Sequence, residues 1–255
     1  MRFSVLGSIE VTTGAEPLEL GGVKQRAILG YLVLHANKVV PTSQLLAAMW
    51  DGAPPPTARK MIQNAVSGIR RVLTGQSAVA LRTHAPGYQL QVDPETVDLH
   101  RFRALAGDGR AAIADGEPQR GAELLRAALS LWRGRALADL VEAGYRWSEL
   151  TAVEDERLSA LEDRLDAELV CGRHREITPE LEVLTATEPL RERLCLQFML
   201  ALYRSGRQAD ALRVYRRTRE ALVDSLGLEP GRELQELHQQ ILDHDATIQL
   251  AVTGQ

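Results

Sequence analysis

Strand-forming patterns occur only before residue 94 of this 255-residue chain, and the remainder is patterned as helix. Alternation of apolar and polar residues predicts strands, and apolar residues spaced by three and four predict helices. The predicted elements are, in chain order, strands over 2–11 and 16–20, helices that end near 35, cover 41–50 and cover 57–73, and hairpin strands over 79–82 and 88–92. This order of strands, three helices and a hairpin is that of the winged helix-turn-helix fold. We therefore expect an α+β domain of this fold over residues 1–94.

After residue 95 the chain shows only helical patterns. The predicted helices cover 102–114, 119–132, 147–170, 190–205, 208–226 and 231–244. Several are joined at a glycine and carry alanines such as Ala122 and Ala209 at the seam, as tetratricopeptide pairs do. Because the spacing does not follow a clean repeat of about 34 residues, we expect an all-α, tetratricopeptide-like domain over 95–255. Solenoids of this kind generally bind partners rather than catalyse reactions.

The helix predicted over 57–73 has two chemically different faces. At about 100° per residue, its apolar residues lie within roughly 60° of Ala58. These apolar residues are Met61, Ile62, Ala65, Ile69 and Val72. The opposite arc holds only cations, amides and a hydroxyl: Arg59, Lys60, Gln63, Asn64, Ser67, Arg70 and Arg71. No acidic residue occurs in this helix.

The acid-free face carries the side chains that a reader of the DNA major groove uses. Arginine and lysine chelate guanine, asparagine and glutamine pair with adenine, and serine adapts to either. The alternative is an ordinary solvated helix face, which usually mixes acids with bases in i,i+4 pairs. We therefore predict that these seven residues bind double-stranded DNA. Near the hairpin tip, Arg82, Thr83 and His84 are predicted to form a wing that adds phosphate or minor-groove contacts.

The distribution of charge agrees with a DNA-binding N-terminal half. The formal net charge is −4, which taken alone argues weakly against a polyanionic partner. Residues 20–90, however, contain eight lysines and arginines against the single acid Asp51, a surplus of +7, so the rest of the chain sums to −11. The basic first half is suited to bind phosphate, and the acidic second half is suited to repel it.

Several classes of protein are disfavoured by the sequence. The longest apolar run covers 27–34, whereas a membrane-spanning helix needs about 20 residues, and no secretory signal follows Met1. The two cysteines suggest no disulfide framework, so we expect a cytoplasmic protein without a membrane partner. There is no Gly-rich phosphate loop, and the single pair Cys171 and His174 is a weak metal signal. We expect no enzymatic activity, no cofactor and no metal.

Both halves of the chain contain short segments with a more specific pattern. Those of the first half are RFSVLG (2–7), QRAIL (25–29), LLAAMW (45–50), VS and IRRVL (66–67 and 69–73) and THAPGY (83–88). Those of the second half are VDLHRF (97–102), LWRGRAL (131–137), EPLRERL (188–194), MLALYRSGRQ (199–208) and LGLEPGREL (226–234). The first set resembles the OmpR-type winged-helix domain, and the second set the bacterial transcriptional activator domain, of the Streptomyces antibiotic regulatory protein family of transcriptional activators. The segments follow one another in the family's order along nearly the whole chain.

The resemblance implies a mode of action. By similarity, the third helix enters the major groove and the wing contacts the DNA backbone. The family binds direct repeats upstream of promoters as a head-to-tail homodimer, recruits RNA polymerase holoenzyme and controls secondary-metabolite clusters, including those for antibiotics. In related domains the loop before the third helix touches the sigma factor, which implicates Asp51, Gly52, Pro54, Pro55 and Arg59. Without the resemblance, the proline run would be interpreted as a rigid connector.

Some features keep more than one interpretation. Gly68 departs from the family pattern, in which a longer polar residue tends to occur, and we expect it to remove a possible base contact. The basic cluster Arg213, Arg216, Arg217 and Arg219 is typical of a solvated helix face, the alternative being a contact to DNA phosphates or a neighbouring protomer. The favoured function is transcriptional activation. The alternative is a signal-responsive adaptor whose helical domain binds a ligand or a protein partner.

Overall fold

A computed structural model describes residues 1–14, 16–74 and 79–248, and it confirms a winged helix-turn-helix fold followed by helices. Strands β1 to β6 are Arg2–Ser4, Glu10–Thr13, Glu16–Pro17, Val39–Pro41, Ala80–His84 and Gly87–Gln91. Helices α1 to α3 are Val23–Leu34, Thr42–Met49 and Ala58–Leu73. Helices α4 to α11 are Asp98–Ala114, Pro118–Leu129, Ala138–Glu142, Ser148–Val170, His174–Thr187, Glu192–Arg204, Gln208–Leu226 and Arg232–Leu242. Short 3-10 turns cover Pro94–Thr96 and Ala246–Ile248.

Contacts between residues divide the chain into two units along lines that differ from the predicted boundary at residue 94. The first unit contains Met1–Asp108 and Arg126–Ser159, and the second contains Gly109–Leu125 and the described residues from Ala160 onward. Helices α4, α5 and α7 each contribute residues to both units. The domain boundary at residue 94 therefore stays a prediction from the sequence.

Two small antiparallel sheets belong to the first unit. One has the strand order β1-β2-β3, with Phe3 opposite Val11, and the other has the order β4-β6-β5. The single strand predicted over 2–11 is wrong, because the chain turns at Gly7, where φ is +152°, and returns as β2. A Cβ added at Gly7 would lie 3.1 Å from the Cβ of Arg133, so the turn leaves little room for a side chain.

The turn between β1 and β2 is held by two carboxylates from beyond residue 95. The Asp98 carboxylate accepts from the N–H of Val5 at 2.9 Å and from the N–H of Leu6 at 3.1 Å. The Asp139 carboxylate accepts from the N–H of Ile9 at 3.0 Å. Burial raises the pKa of Asp98 above its ordinary value, and the bonds from Val5 and Leu6 act in the opposite direction. Hydrogen bonds to ionised acceptors are the stronger kind, so these two residues anchor the first sheet.

The same turn also accepts hydrogen bonds from the loop between α5 and α6. The N–H of Arg133 donates to the carbonyl oxygen of Leu6 at 2.7 Å, and the N–H of Leu137 donates to that of Val5 at 2.9 Å. Buried backbone groups need partners, and here the partners come from outside the two sheets. The first sheet therefore depends on residues far along the chain.

The first three helices pack together around aliphatic side chains. Both α2 and α3 contact α1, which is buried along its central turns. Pro41 occupies the N-cap position of α2, Thr42 is the first helical residue, and no side chain among the described residues caps the start of this helix. The Thr42 hydroxyl instead donates to the carbonyl oxygen of Pro86 at 3.1 Å. That bond ties the start of α2 to the turn of the β5–β6 hairpin.

The inner face of α3 includes Gly68, which is buried against α1. A Cβ added at this position would lie 2.8 Å from Oε1 of Gln25. The expectation that Gly68 removes a base contact is therefore wrong, because this position faces protein. The predicted apolar face is also shifted slightly, since Met61 is 37% exposed whereas Val66 is buried.

The core of the second unit is built from α8 to α11 and the end of α7. Leu181, Leu194 and Ile241 are among its fully buried residues. Helix α9 packs against both α8 and α10, as in stacked helix pairs. The sequence does not predict α6 or α8, because α6 has only five residues and α8 contains Pro179, which removes one intrahelical hydrogen bond.

We expect Asp98→Ala to lower the free energy of unfolding by about 2–4 kcal/mol, because two buried N–H donors lose their acceptor. The matched control is Asp93→Ala. Asp93 accepts one exposed bond, from the N–H of Glu95 at 3.0 Å, so its loss should cost less than about 1 kcal/mol. Urea denaturation measures both values, and equal losses would contradict the anchoring role of Asp98.

Substitutions at Gly68 and Gln25 test the contact between α1 and α3. Gly68→Ala alone should gain little stability, because the new Cβ must displace the Gln25 carboxamide. In a Gln25→Ala background the obstacle is gone, and Gly68→Ala should raise the free energy of unfolding by about 1 kcal/mol through helix propensity. Urea denaturation of the four proteins gives the coupling. The same gain in both backgrounds would show that Gly68 does not face Gln25.

Candidate nucleic-acid interface

Helix α3 turns one polar face to solvent. Its buried residues are Ala58, Ile62, Val66, Gly68, Ile69 and Leu73. Its exposed polar residues are Arg59, Lys60, Gln63, Asn64, Ser67 and Arg71. Because the apolar residues are buried against the rest of the first unit, the structure brings six of the seven predicted readers together on the outer face.

The seventh predicted reader, Arg70, is partly buried and bonds to protein. Its Nε donates to the carbonyl oxygen of Leu81 at 2.8 Å, and its Nη2 donates to Oγ1 of Thr83 at 2.7 Å. Both acceptors lie in β5, so the guanidinium lies between α3 and the hairpin. The structure thus separates Arg70 from its neighbour Arg71, which is exposed.

The hairpin predicted as the wing consists of β5 and β6 in antiparallel register. Alternate residues of a strand point to opposite faces, so Arg82 and His84 lie on the face opposite Thr83. All three are exposed. Gly87 at the start of β6 is required by the close approach of β4, because an added Cβ would overlap the carbonyl oxygen of Val40.

The loop between α2 and α3 is open to solvent. All of the predicted polymerase-contact residues are exposed: Asp51, Gly52, Pro54, Pro55 and, in the first turn of α3, Arg59. Gly52 has a φ of +100°, a conformation that favours glycine. Just before the loop, Nζ of Lys24 lies 4.1 Å from the centroid of the Trp50 ring, which is a cation–π distance. The loop therefore begins at a fixed point and then projects outward.

A hydrogen-bond network that the sequence does not predict connects α1 and α2 to the start of α7. The Tyr31 hydroxyl donates to Oε1 of Glu149 at 2.8 Å and accepts from Nε2 of Gln44 at 2.9 Å. The indole N–H of Trp147 donates to the carbonyl oxygen of Ala48 at 2.8 Å. Burial and then the bond to Glu149 raise the pKa of Tyr31 to about 12. The network therefore holds the two helices that support α3.

The basic cluster on α10 is partly paired. Arg213 forms an ion pair with Asp210, and Arg219 forms one with Glu229 at 2.6 Å. These pairs reduce the charge that the cluster offers to another molecule.

Within the described ranges, no three His, Cys, Asp or Glu side chains are placed to hold one metal ion. In the part of the chain that the structure covers, no helix combines the length and apolarity needed to cross a membrane.

Protein families match both halves of the chain. Residues 97–242 match the family described as bacterial transcriptional activator domain. Residues 16–90 match the family described as transcriptional regulatory protein, C terminal. The first match alone covers more than half of the chain.

Known regulatory proteins are similar over nearly its whole length. The regulatory protein DnrI of Streptomyces peucetius is 38% identical, over 97% of this chain and 94% of its own length. The transcriptional regulatory protein EmbR of Mycobacterium tuberculosis is 38% identical, over 95% of this chain and 63% of its own length. The regulatory protein AfsR of Streptomyces coelicolor is 40% identical, over 97% of this chain and 25% of its own. The chain thus spans less than two thirds of EmbR and a quarter of AfsR.

A solved structure has the same fold. Mycobacterium tuberculosis EmbR in complex with a low affinity phosphopeptide matches with a TM-score of 0.88 and 37% identity, over 95% of this chain and 65% of that one. The two family matches, the near full-length similarity to DnrI and the shared fold all agree. The chain therefore belongs to the Streptomyces antibiotic regulatory protein family of transcriptional activators.

Proposed function

We propose that this protein binds direct-repeat promoter DNA as a head-to-tail homodimer and recruits RNA polymerase holoenzyme in the cytoplasm, to activate a secondary-metabolite gene cluster. The observation that carries the proposal is the exposed face of α3, which combines three cations, two amides and a hydroxyl without an acid. Membership of an activator family supports the same conclusion.

The exposed face has a suitable length for one half-site. Lys60 and Arg71 lie near its two ends, and a rise of about 1.5 Å per residue places them roughly 16 Å apart along the helix. That span corresponds to about five base pairs at 3.4 Å each. Gln63, Asn64 and Ser67 lie between them, so amides suited to base edges are flanked by cations suited to phosphates or guanine.

Activation in this proposal requires binding and no covalent chemistry. A tenfold rise in polymerase occupancy at a promoter corresponds to about 1.4 kcal/mol. A few contacts from one exposed loop supply a free energy of that size. The loop over 51–56 has suitable exposure and adjoins the DNA-reading helix, so a protein bound to neighbouring DNA can reach it.

Asn64→Ala and Lys60→Ala separate base reading from phosphate contact. Asn64→Ala should cost about 1–3 kcal/mol on a site selected from random DNA by the wild type, and it should relax preference at one base pair. Lys60→Ala should weaken binding to selected and random DNA alike and reduce the salt slope by about 0.9. Titrations by fluorescence anisotropy at several salt concentrations measure both effects.

The control is Arg120→Ala, which removes an exposed cation on α5 that pairs with Glu117 at 3.0 Å. It should change neither affinity nor salt slope. If Asn64→Ala and Lys60→Ala weaken both DNAs equally, the proposed division between the two residues is wrong.

Asp51→Ala tests the loop. DNA affinity should stay within about twofold of the wild type, because Asp51 is an acid and provides no phosphate contact. Transcript yield from a reconstituted promoter should fall several-fold. Asp108→Ala, which removes an exposed acid on α4, is the control and should leave both measurements unchanged.

Arg59→Ala extends the same test, because Arg59 is predicted for both surfaces. Loss of transcription with DNA affinity retained would assign it to the polymerase, and a matching loss of both would assign it to DNA. If Asp51→Ala leaves transcription unchanged, the loop has no part in recruitment.

A further inference from the structure

The position of the wing depends on how β5 is held against α3. β5 is the outer strand of its sheet, so β6 fixes it from one side only. On the other side it packs against α3. The contacts between β5 and α3 therefore decide where the hairpin tip lies relative to the exposed face of the helix.

Arg70 bonds to β5 at two points. Its Nε donates to the backbone carbonyl oxygen of Leu81 at 2.8 Å, and its Nη2 donates to the side-chain hydroxyl of Thr83 at 2.7 Å. A guanidinium is planar, so two of its N–H groups bonded to one strand fix both the distance and the orientation of that strand. A lysine has one rotatable ammonium and cannot reproduce this geometry.

Arg71 provides an internal comparison. It is adjacent in sequence and has the same side chain, but this side chain is exposed and makes no hydrogen bond or ion pair to another described residue. The helical periodicity of the sequence places both arginines on the polar face of α3. The structure gives one of them two protein acceptors and leaves the other open to solvent.

We infer that Arg70 is a positioning residue that sets the wing relative to α3, and that Thr83 serves as its acceptor rather than as a DNA contact. Arg82 and His84 lie on the opposite face of β5, and they are then the wing residues that contact DNA. The inference rests on the proposed function and deepens it. Its consequence is that Arg70 controls contacts at the flank of the site without touching DNA.

The test compares lysine substitutions at the two arginines. Both Arg70→Lys and Arg71→Lys keep the charge, so a phosphate contact should survive in either. We expect Arg71→Lys to affect only contacts beneath α3 and to keep the hydroxyl-radical protection at the flank of the selected site. Arg70→Lys should lose about tenfold in affinity and lose hydroxyl-radical protection at the flank while protection by α3 remains.

A double-mutant cycle with Thr83→Val supplies the second readout. Valine has the shape of threonine and removes the acceptor, so Thr83→Val should reproduce the flank loss although it changes no charge. In the Arg70→Lys background it should have no further effect, because the two residues act as one unit. Thr83→Ser should restore wild-type protection.

A measurement without DNA checks the contact between Arg70 and β5 itself. Hydrogen exchange across 80–91 in the free protein should become faster in Arg70→Lys and Thr83→Val and stay unchanged in Arg71→Lys. Thermal unfolding of each variant shows whether the fold is retained, and the Thr83 pair keeps the test decisive if Arg70→Lys unfolds.

The outcomes separate this inference from the proposed function. If the wild type selects no DNA sequence, the proposed function is wrong and the inference is wrong with it. If the wild type binds and Arg70→Lys behaves like Arg71→Lys, or Thr83→Val adds fully to Arg70→Lys, only the inference is overturned.

Discussion

The burial of the apolar stripe of α3 is the constraint on which the interface depends. Ile62, Ile69 and Leu73 lie in the core, and burying a side chain of this size is worth about 1.5–3 kcal/mol each. Rotating the helix by one residue would move this stripe toward solvent and carry cations toward the core. An unpaired buried charge costs several kcal/mol. The packing that stabilises the first unit therefore also determines that Lys60 and Asn64 face outward.

The support for that helix comes from parts of the chain that follow it. The Asp98 and Asp139 carboxylates hold the turn between β1 and β2, while Tyr31 bonds to Glu149 and Trp147 bonds to the end of α2. The family match for the activator domain begins at residue 97, so the winged helix is completed by residues of the domain that follows it in sequence. A change at the start of α7 can therefore reach α1 and α2 through direct hydrogen bonds.

Some of this could be predicted from the sequence because it depends on local periodicity. The choice of side chains that face outward on α3 follows from the period of about 3.6 residues per turn within one helix. Six of the seven residues predicted to read DNA are exposed. The exception is Arg70, whose acceptors are 11 and 13 residues away on a strand that reaches it only after the hairpin docks. Gly68 was misjudged for the same reason, since Gln25 comes from a different helix. The anchors Asp98 and Asp139 are 93 and 130 residues from their donors Val5 and Ile9, separations at which periodicity carries no information.

The salt dependence of DNA binding is the decisive measurement for the proposed interface. Four exposed cations, Arg59, Lys60, Arg71 and Arg82, are available per protomer in the proposed interface. At about 0.9 counterion released per phosphate contact, four contacts give a slope near −3.6 in log affinity against log salt. Affinity of one protomer for a single half-site should then fall about a hundredfold or more between 50 and 200 mM salt, and affinity of the homodimer for the direct repeat should fall more steeply. An affinity that changes less than about twofold over that range would contradict a phosphate-binding face on α3 and the wing.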